Sequence, residues 1–249
     1  MSTRRQVLAT YVRIWRTYRG WMSSILALAL VVFLPLALLD ALTANVEVDA
    51  LDLTSGIKIA ALALAVGAIA TTGLIGEIFF SGAIAISLTH PHGEKPPPLR
   101  EIATRIKYGR LVVVDLAFVA IVTAGLLLGF VPGLLAFVFL ALAGPSVEIE
   151  EESALGALRR SLQLVRGHFW LVFWVLVPIE IAGDATGHGL AALVHDLFGD
   201  TFLATWLAEA LADIALSPLF AVAAVLLTVD LIAARDGTAP PLHSEPVPA

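Results

Sequence analysis

Long apolar stretches alternate with short charged ones along the whole chain, and the stretches have the length that hydrocarbon demands. Crossing a bilayer core as a helix takes about 20 apolar residues. Runs of this kind occupy residues 21–43, 57–89, 111–130, 134–145, 169–187 and 202–234. The second and sixth exceed the requirement, so they must tilt, kink or project from the bilayer. Within 111–145, the sequence Gly129-Phe130-Val131-Pro132-Gly133 rules out one straight helix. Its second arm is short, which leaves a hairpin of two spans and a re-entrant pair both open. The pattern predicts an all-α fold, a polytopic transmembrane bundle of about six spans in three hairpins. Pro35, Pro132, Pro178 and Pro218 are expected to kink it.

A second pattern sits at the feet of the hairpins. Val7, Tyr11, Ile14 and Tyr18 fall on one helical face; Leu99, Ile102 and Ile106 on another; Leu155, Leu158, Leu162 and Val165 on a third. The opposite faces carry Arg13 and Arg16, then Arg100, Arg105 and Lys107, then Arg159, Arg160 and Arg166. Apolar and basic faces on one short helix predict a helix lying in the interface, its cations toward anionic headgroups. These eight cations are the predicted lipid contacts, and "basic amphipathic helix, then two spans" recurs three times as an architectural pattern. An integral membrane domain is expected over 1–236. The tail 237–249, with four prolines and no apolar period, is expected to be disordered.

Composition agrees with this reading. Apolar residues make up 59% of the 249 positions and charged residues only 14%, where a soluble domain carries roughly 25% charged residues. Cysteine is absent, which excludes disulfides, thiolate metal sites and a Cys nucleophile. The first apolar run is too long for a signal-peptide core and no small-residue cleavage site ends it, so it reads as a retained span. Of the 15 Lys and Arg, five lie in 4–19, five in 95–110 and three in 159–166, with Arg235 in the last turn of the sixth run and Lys58 apart. The positive-inside rule puts those basic segments, and with them both termini, in the cytoplasm. The opposite loops carry Glu47, Asp49, Asp52, Asp196 and Asp200.

Candidate chemistry resides in acids within the apolar runs, because an ionisable group in hydrocarbon is costly and marks function by default. They are Glu77, Asp115, Glu180, Asp184, Glu209, Asp213 and Asp230. Asp115 is near Arg110 and Asp230 near Arg235, so both are expected to pair with those cations at the cytoplasmic headgroups. Glu180, Asp184 and His188 share one helix face by their spacing, and Glu209 and Asp213 repeat it on the next span. With the two spans antiparallel, Glu180 and Asp213 lie about 15 and 16 Å deep, and Asp184 and Glu209 about 9 and 10 Å. Two rungs of carboxylates would face each other near the carbonyl that Pro178 leaves free, able to hold a cation or share protons. Alternatively, 202–213 lies on the outer surface as an amphipathic helix, and Gly183, Gly187 and Gly189 end the fifth span early, exposing Asp184 and His188. Glu77 is near mid-membrane under either boundary, expected to bond Thr71, Thr72, Ser81 or a neighbouring helix. His90, His92 and Glu94 read as a solvated Pro-rich turn. The acidic run Glu148, Glu150, Glu151 and Glu152 suits a helix N-terminus capped by Ser153. There is no phosphate loop, metalloprotease, hydrolase or nucleic-acid motif, and no cofactor is predicted. The metal question stays open.

Three stretches carry a resemblance: Phe130-Val131-Pro132-Gly133 with the run ending near Pro145 and Glu148; residues 157–170, Ala-Leu-Arg-Arg-Ser-Leu-Gln-Leu-Val-Arg-Gly-His-Phe-Trp; and residues 226–237, Leu-Leu-Thr-Val-Asp-Leu-Ile-Ala-Ala-Arg-Asp-Gly. They resemble the integral membrane domain associated with bacterial glycerophosphodiester phosphodiesterases. The resemblance implies a bacterial cytoplasmic-membrane protein without catalysis of its own. The phosphodiesterase activity of those relatives belongs to a soluble barrel of about 250 residues, which is expected to be missing here. Three functions follow as expectations. One is a non-catalytic scaffold or regulatory module for membrane lipids or a membrane protein partner. The others are a small transporter using its intramembrane carboxylates for cation or proton coupling, and a membrane-embedded lipid enzyme.

Overall fold

The computed structural model describes residues 3–43, 76–89, 97–199 and 201–237. Expectations for the loop 44–56, for the 90–94 turn with His90, His92 and Glu94, and for all but the first residue of the tail lie outside the described residues. Among the described residues there are nine α-helices and no strand. They are α1 (Thr3–Thr43), α2 (Glu77–Leu88), α3 (Leu99–Arg105), α4 (Tyr108–Leu128), α5 (Phe130–Leu140), α6 (Ala143–Ile149), α7 (Ala154–Val165), α8 (Phe169–Phe198) and α9 (Phe202–Asp236). Helix is the form in which a single segment satisfies its own backbone in hydrocarbon. Five helical stretches are long and apolar enough to cross a bilayer: Thr3–Leu38, Tyr108–Leu128, Phe130–Ile149, Phe169–Phe198 and Asp213–Asp236. The protein is an all-α membrane protein.

The interrupted stretch around Gly129 is a hairpin with both arms of crossing length. Gly129 turns the chain with φ of 143°, a region that favours glycine. Just above it, a Cβ on Gly125 would stand 2.8 Å from the Gly133 Cα, so the arms touch backbone to backbone. The second run behaves differently. Its described part, α2, has 12 residues, about 18 Å of helix, and begins abruptly at Glu77.

The core lies along the second half of α9, where Phe220 to Leu227 are buried on every side. α1, α8 and α2 pack against α9, and α2 is also held between α6 and α4. A Cβ on Gly144 would come 2.1 Å from the Ile78 carbonyl oxygen, so α6 crosses α2 at backbone contact. The outward faces carry Val113, Leu116, Leu128, Phe130 and Ile181. Near the basic ends, Trp15, Trp170, Trp174 and Tyr108 are exposed, the placement of an aromatic belt at a membrane interface.

The first amphipathic segment is not a separate helix. Residues 4–19 run into the first span without a break, and Ile14 and Tyr18 are buried in the bundle. The third, α7, also packs on protein, but along a different line from the predicted one. Ala157, Leu158, Ser161, Leu164 and Val165 are buried, while Leu155 is 68% exposed and Leu162 faces outward with it. Backbone polarity explains the rotation. The break between α5 and α6 frees the Phe139 carbonyl and the Leu142 N–H. The Ser161 hydroxyl donates to the first at 2.8 Å and accepts from the second at 3.2 Å. A buried break needs such a partner more than leucine needs burial. Ser153 caps α7, accepting from Gly156 N at 3.1 Å.

Candidate carboxylate site

The break that begins α2 creates a problem that the bundle solves from another helix. The first N–H groups of a helix have no partner within it, and α2 starts where water is excluded. Gly76 takes a left-handed φ of 89°. The Asp115 carboxylate of α4 then accepts from Gly76 N at 2.9 Å, Ile78 N at 3.1 Å and Phe79 N at 3.2 Å. Asp115 is 6% exposed. The expected pairing of Asp115 with Arg110 is therefore wrong: Arg110 donates instead to the Glu151 and Glu152 carbonyls. An anion at a helix N-terminus also meets the positive end of the helix dipole.

The first side chain of α2 is Glu77, 4% exposed. The Ser217 hydroxyl of α9 hydrogen-bonds its carboxyl, while Glu180 of α8, Asp213 of α9 and Asp115 are close enough to act on it electrostatically. Its Oε2 has no hydrogen-bond partner among the described residues. Ser81, an expected partner, instead donates to the Ile78 carbonyl at 2.9 Å, and Thr71 and Thr72 lie outside the described residues. Groups from α4, α8 and α9 thus act on Glu77 of α2, and among the described residues no cation does. Such a carboxyl must either carry a proton or hold a cation.

Glu180 and Asp213 lie on antiparallel neighbours, and both act electrostatically on Glu77. α8 runs through Gly183, Gly187 and Gly189 unbroken, and α9 runs unbroken from Phe202. Asp184, His188 and Glu209 therefore stay in helical register with Glu180 and Asp213, though their side chains are outside the described ones. Ser217 escaped the sequence reading, yet it continues the row of Glu209 and Asp213 by another four residues.

Two further expectations are corrected. The carbonyl left without an N–H by Pro178, that of Trp174, is not a vacant ligand: the Tyr11 hydroxyl of α1 donates to it at 2.9 Å and to Val175 O at 3.1 Å. Asp230 pairs with Arg13 of α1 at 2.8 Å, not with Arg235, which donates to the Gln163 carbonyl at 2.6 Å. Side chains five apart on one helix were the nearest partners in sequence, and a neighbouring helix supplied nearer ones in space.

The predicted headgroup cations divide in the same way. Arg16, Arg100, Arg159 and Arg166 are exposed. Arg13 is committed to Asp230, Arg105 to Glu101 at 2.8 Å, and Lys107 to Glu151 at 3.6 Å. Arg160 is 15% exposed in its side chain, bonded to Glu150 through both Nε and Nη2 and also to Asp236. These hydrogen bonds raise its pKa above the ordinary guanidinium value. Glu148 accepts from the Lys107 N–H at 2.9 Å, so the acidic run ties the basic segments to the bundle besides preceding α7. Among the described residues, no group of three His, Asp or Glu side chains is placed to hold a metal ion.

The model of a domain of unknown function, DUF7847, matches residues 102–234, more than half of the chain. No curated protein and no solved structure matches it.

Proposed function

The chain belongs to the DUF7847 family, and from its buried carboxylates we propose that it is a small transporter whose intramembrane acids couple solute movement to a proton or cation. The observation that carries this reading is Glu77, buried at the N-terminus of α2, with Oε2 lacking a hydrogen-bond partner among the described residues and with Glu180, Asp213 and Asp115 near enough to act on it. An ionisable residue buried within a membrane bundle is costly and marks function by default. A purely structural role offers no return for converging three more acids on it. A helix N-terminus inside a membrane bundle is also a common element of transporter binding sites.

The membrane is the bacterial cytoplasmic membrane, with both termini in the cytoplasm. Support for this comes from the basic segments gathered on one side and the exposed tryptophans beside them. Proteoliposomes with a pH-sensitive dye inside and an imposed proton gradient test the transport reading. Candidate cations and small solutes are added outside in turn. One of them should dissipate the gradient in the wild type and not in Glu77→Gln. No change with any addition, in protein shown to be inserted, would count against transport.

A second reading is the non-catalytic module that organises lipids or a membrane partner. The exposed edge of α7 favours it, with Leu155 and Leu162 beside Arg159 and Arg166, a combination suited to anionic headgroups. The similarity to the membrane domain of glycerophosphodiester phosphodiesterases points the same way. Binding to anionic but not zwitterionic vesicles, without flux, would favour this reading over the first.

A further inference from the structure

We propose that the coupling ion is a proton, and that Glu77 is the group that carries it, exchanging it with Glu180 and Asp213 along the seam between α8 and α9. This deepens the transport reading and rests on it for its purpose, but the chemistry is a property of the resting protein and is testable without a solute.

The described helices packed around Glu77 contribute different groups. α4 contributes Asp115, whose oxygens are already taken by three N–H groups of the α2 terminus. From α1, Phe33 and Leu36 close over Gly76. α6 meets α2 at Gly144, against the Ile78 carbonyl and the Ser81 hydroxyl. α8 contributes Glu180, and α9 contributes Asp213 and Ser217. Among the described residues, the groups that act on Glu77 are acids and the Ser217 hydroxyl, with no ammonium or guanidinium. Ser217 satisfies one side of the Glu77 carboxyl, and Oε2 is left without a donor.

A metal cation is the competing occupant. It requires several oxygens converging at bonding distance, and no group of three carboxylate or histidine side chains among the described residues does so. A proton needs only the one oxygen that lacks a donor, and it removes the charge that apolar surroundings disfavour. Asp115 is excluded as the exchange partner because its carboxylate is held by the helix terminus. Glu180 and Asp213 are not on α2, and both are half-buried rather than sealed. They provide the way out.

The step balances simply. The O–H bond at Glu77 breaks and one forms on Glu180 or Asp213, so the negative charge moves to Glu77 and the total charge of the group is unchanged. A second proton, arriving along α8 and α9, restores Glu77. The register of the two helices places Asp184 and His188 one and two turns beyond Glu180, and Glu209 one turn beyond Asp213, toward the Gly199–Thr201 turn.

Infrared difference spectra of the full chain in nanodiscs, cycled between acidic and alkaline buffer in H2O and in D2O, test this. The wild type should show a protonated-carboxyl stretch that appears and disappears with pH and shifts in D2O. That signal should be lost in Glu77→Gln, and its midpoint should move in Glu180→Gln and in Asp213→Asn. Sodium and potassium at equal pH should leave it unchanged. Survival of the full signal in Glu77→Gln would overturn the assignment. So would a signal that exchanges with sodium instead of pH, although coupled transport itself would then stand. Should Glu77→Gln fail to fold, Ser217→Ala decides: loss of the hydroxyl must shift the frequency of the same band, and an unmoved band overturns the proposal.

Discussion

Two polar regions of the bundle follow opposite rules. At the basic end, acids meet cations: Asp230 faces Arg13, Glu150 and Asp236 share Arg160, and Glu151 lies 3.6 Å from Lys107. Around the start of α2, acids meet one another: Glu77 has Glu180, Asp213 and Asp115 for neighbours and one hydroxyl for a donor. The first region binds helices together by charge balance. The second gathers like charges that packing alone would select against, and within it Asp115 has an evident structural task, bonding the start of α2. A buried polar group whose partners are complete is thus distinguished from one whose partners are lacking, though both are single acids in apolar runs when the chain is read linearly.

Substitutions can break or sharpen that contrast. The largest stability effect is expected from Asp115→Ala, which strands three buried N–H groups and removes the anion at the α2 terminus. Charge-assisted bonds of this kind contribute about 1.5–3 kcal/mol each and are not additive, so a loss of roughly 3–5 kcal/mol is expected. Reversible unfolding in mixed micelles would measure it. A loss under 1 kcal/mol would mean that α2 is held by something else.

Arg160→Ala comes next. It leaves Glu150 without its two-nitrogen partner and Asp236 without its cation, in a partly solvated place, and about 2 kcal/mol is expected. The sign of the pH dependence follows from the raised pKa of Arg160. A base whose folded pKa is raised contributes fully below its unfolded value and loses that contribution only as pH rises through the folded one. Stability from Arg160 protonation should therefore be flat from neutral to strongly alkaline pH. A decline beginning near pH 9 in wild type but absent in Arg160→Ala would contradict this.

Glu77→Gln should change stability least, by about 1 kcal/mol or less and in either direction, because the amide keeps the shape and a bond to Ser217 and removes an acid from among acids. The same unfolding measurement checks it. A loss as large as that for Asp115→Ala would place Glu77 with the structural acids and erase the contrast between the regions.

Much of the architecture was legible in the chain. The apolar runs, the turn around Gly129 and the helical class all follow from one requirement, that every backbone group be bonded within its own segment across hydrocarbon. Helical spacing likewise placed Glu180 and Asp213 on faces able to meet. Ser217 was legible in principle, as the next member of that row. The partners of Asp115, Asp230, Arg160 and the Trp174 carbonyl were not. Each lies on another helix, and Asp115 bonds to backbone, which leaves no mark in side-chain pattern.

The sequence by itself determined that this chain is a bundle of membrane helices with acids inside its spans, because length and polarity along one helix are local quantities. Only the tertiary structure decided which acids bond to backbone or to cations and which gather around Glu77. Helix rotation and the start of α2 at Glu77 depend on side chains and backbone from four helices at once, and no single run of residues contains that information.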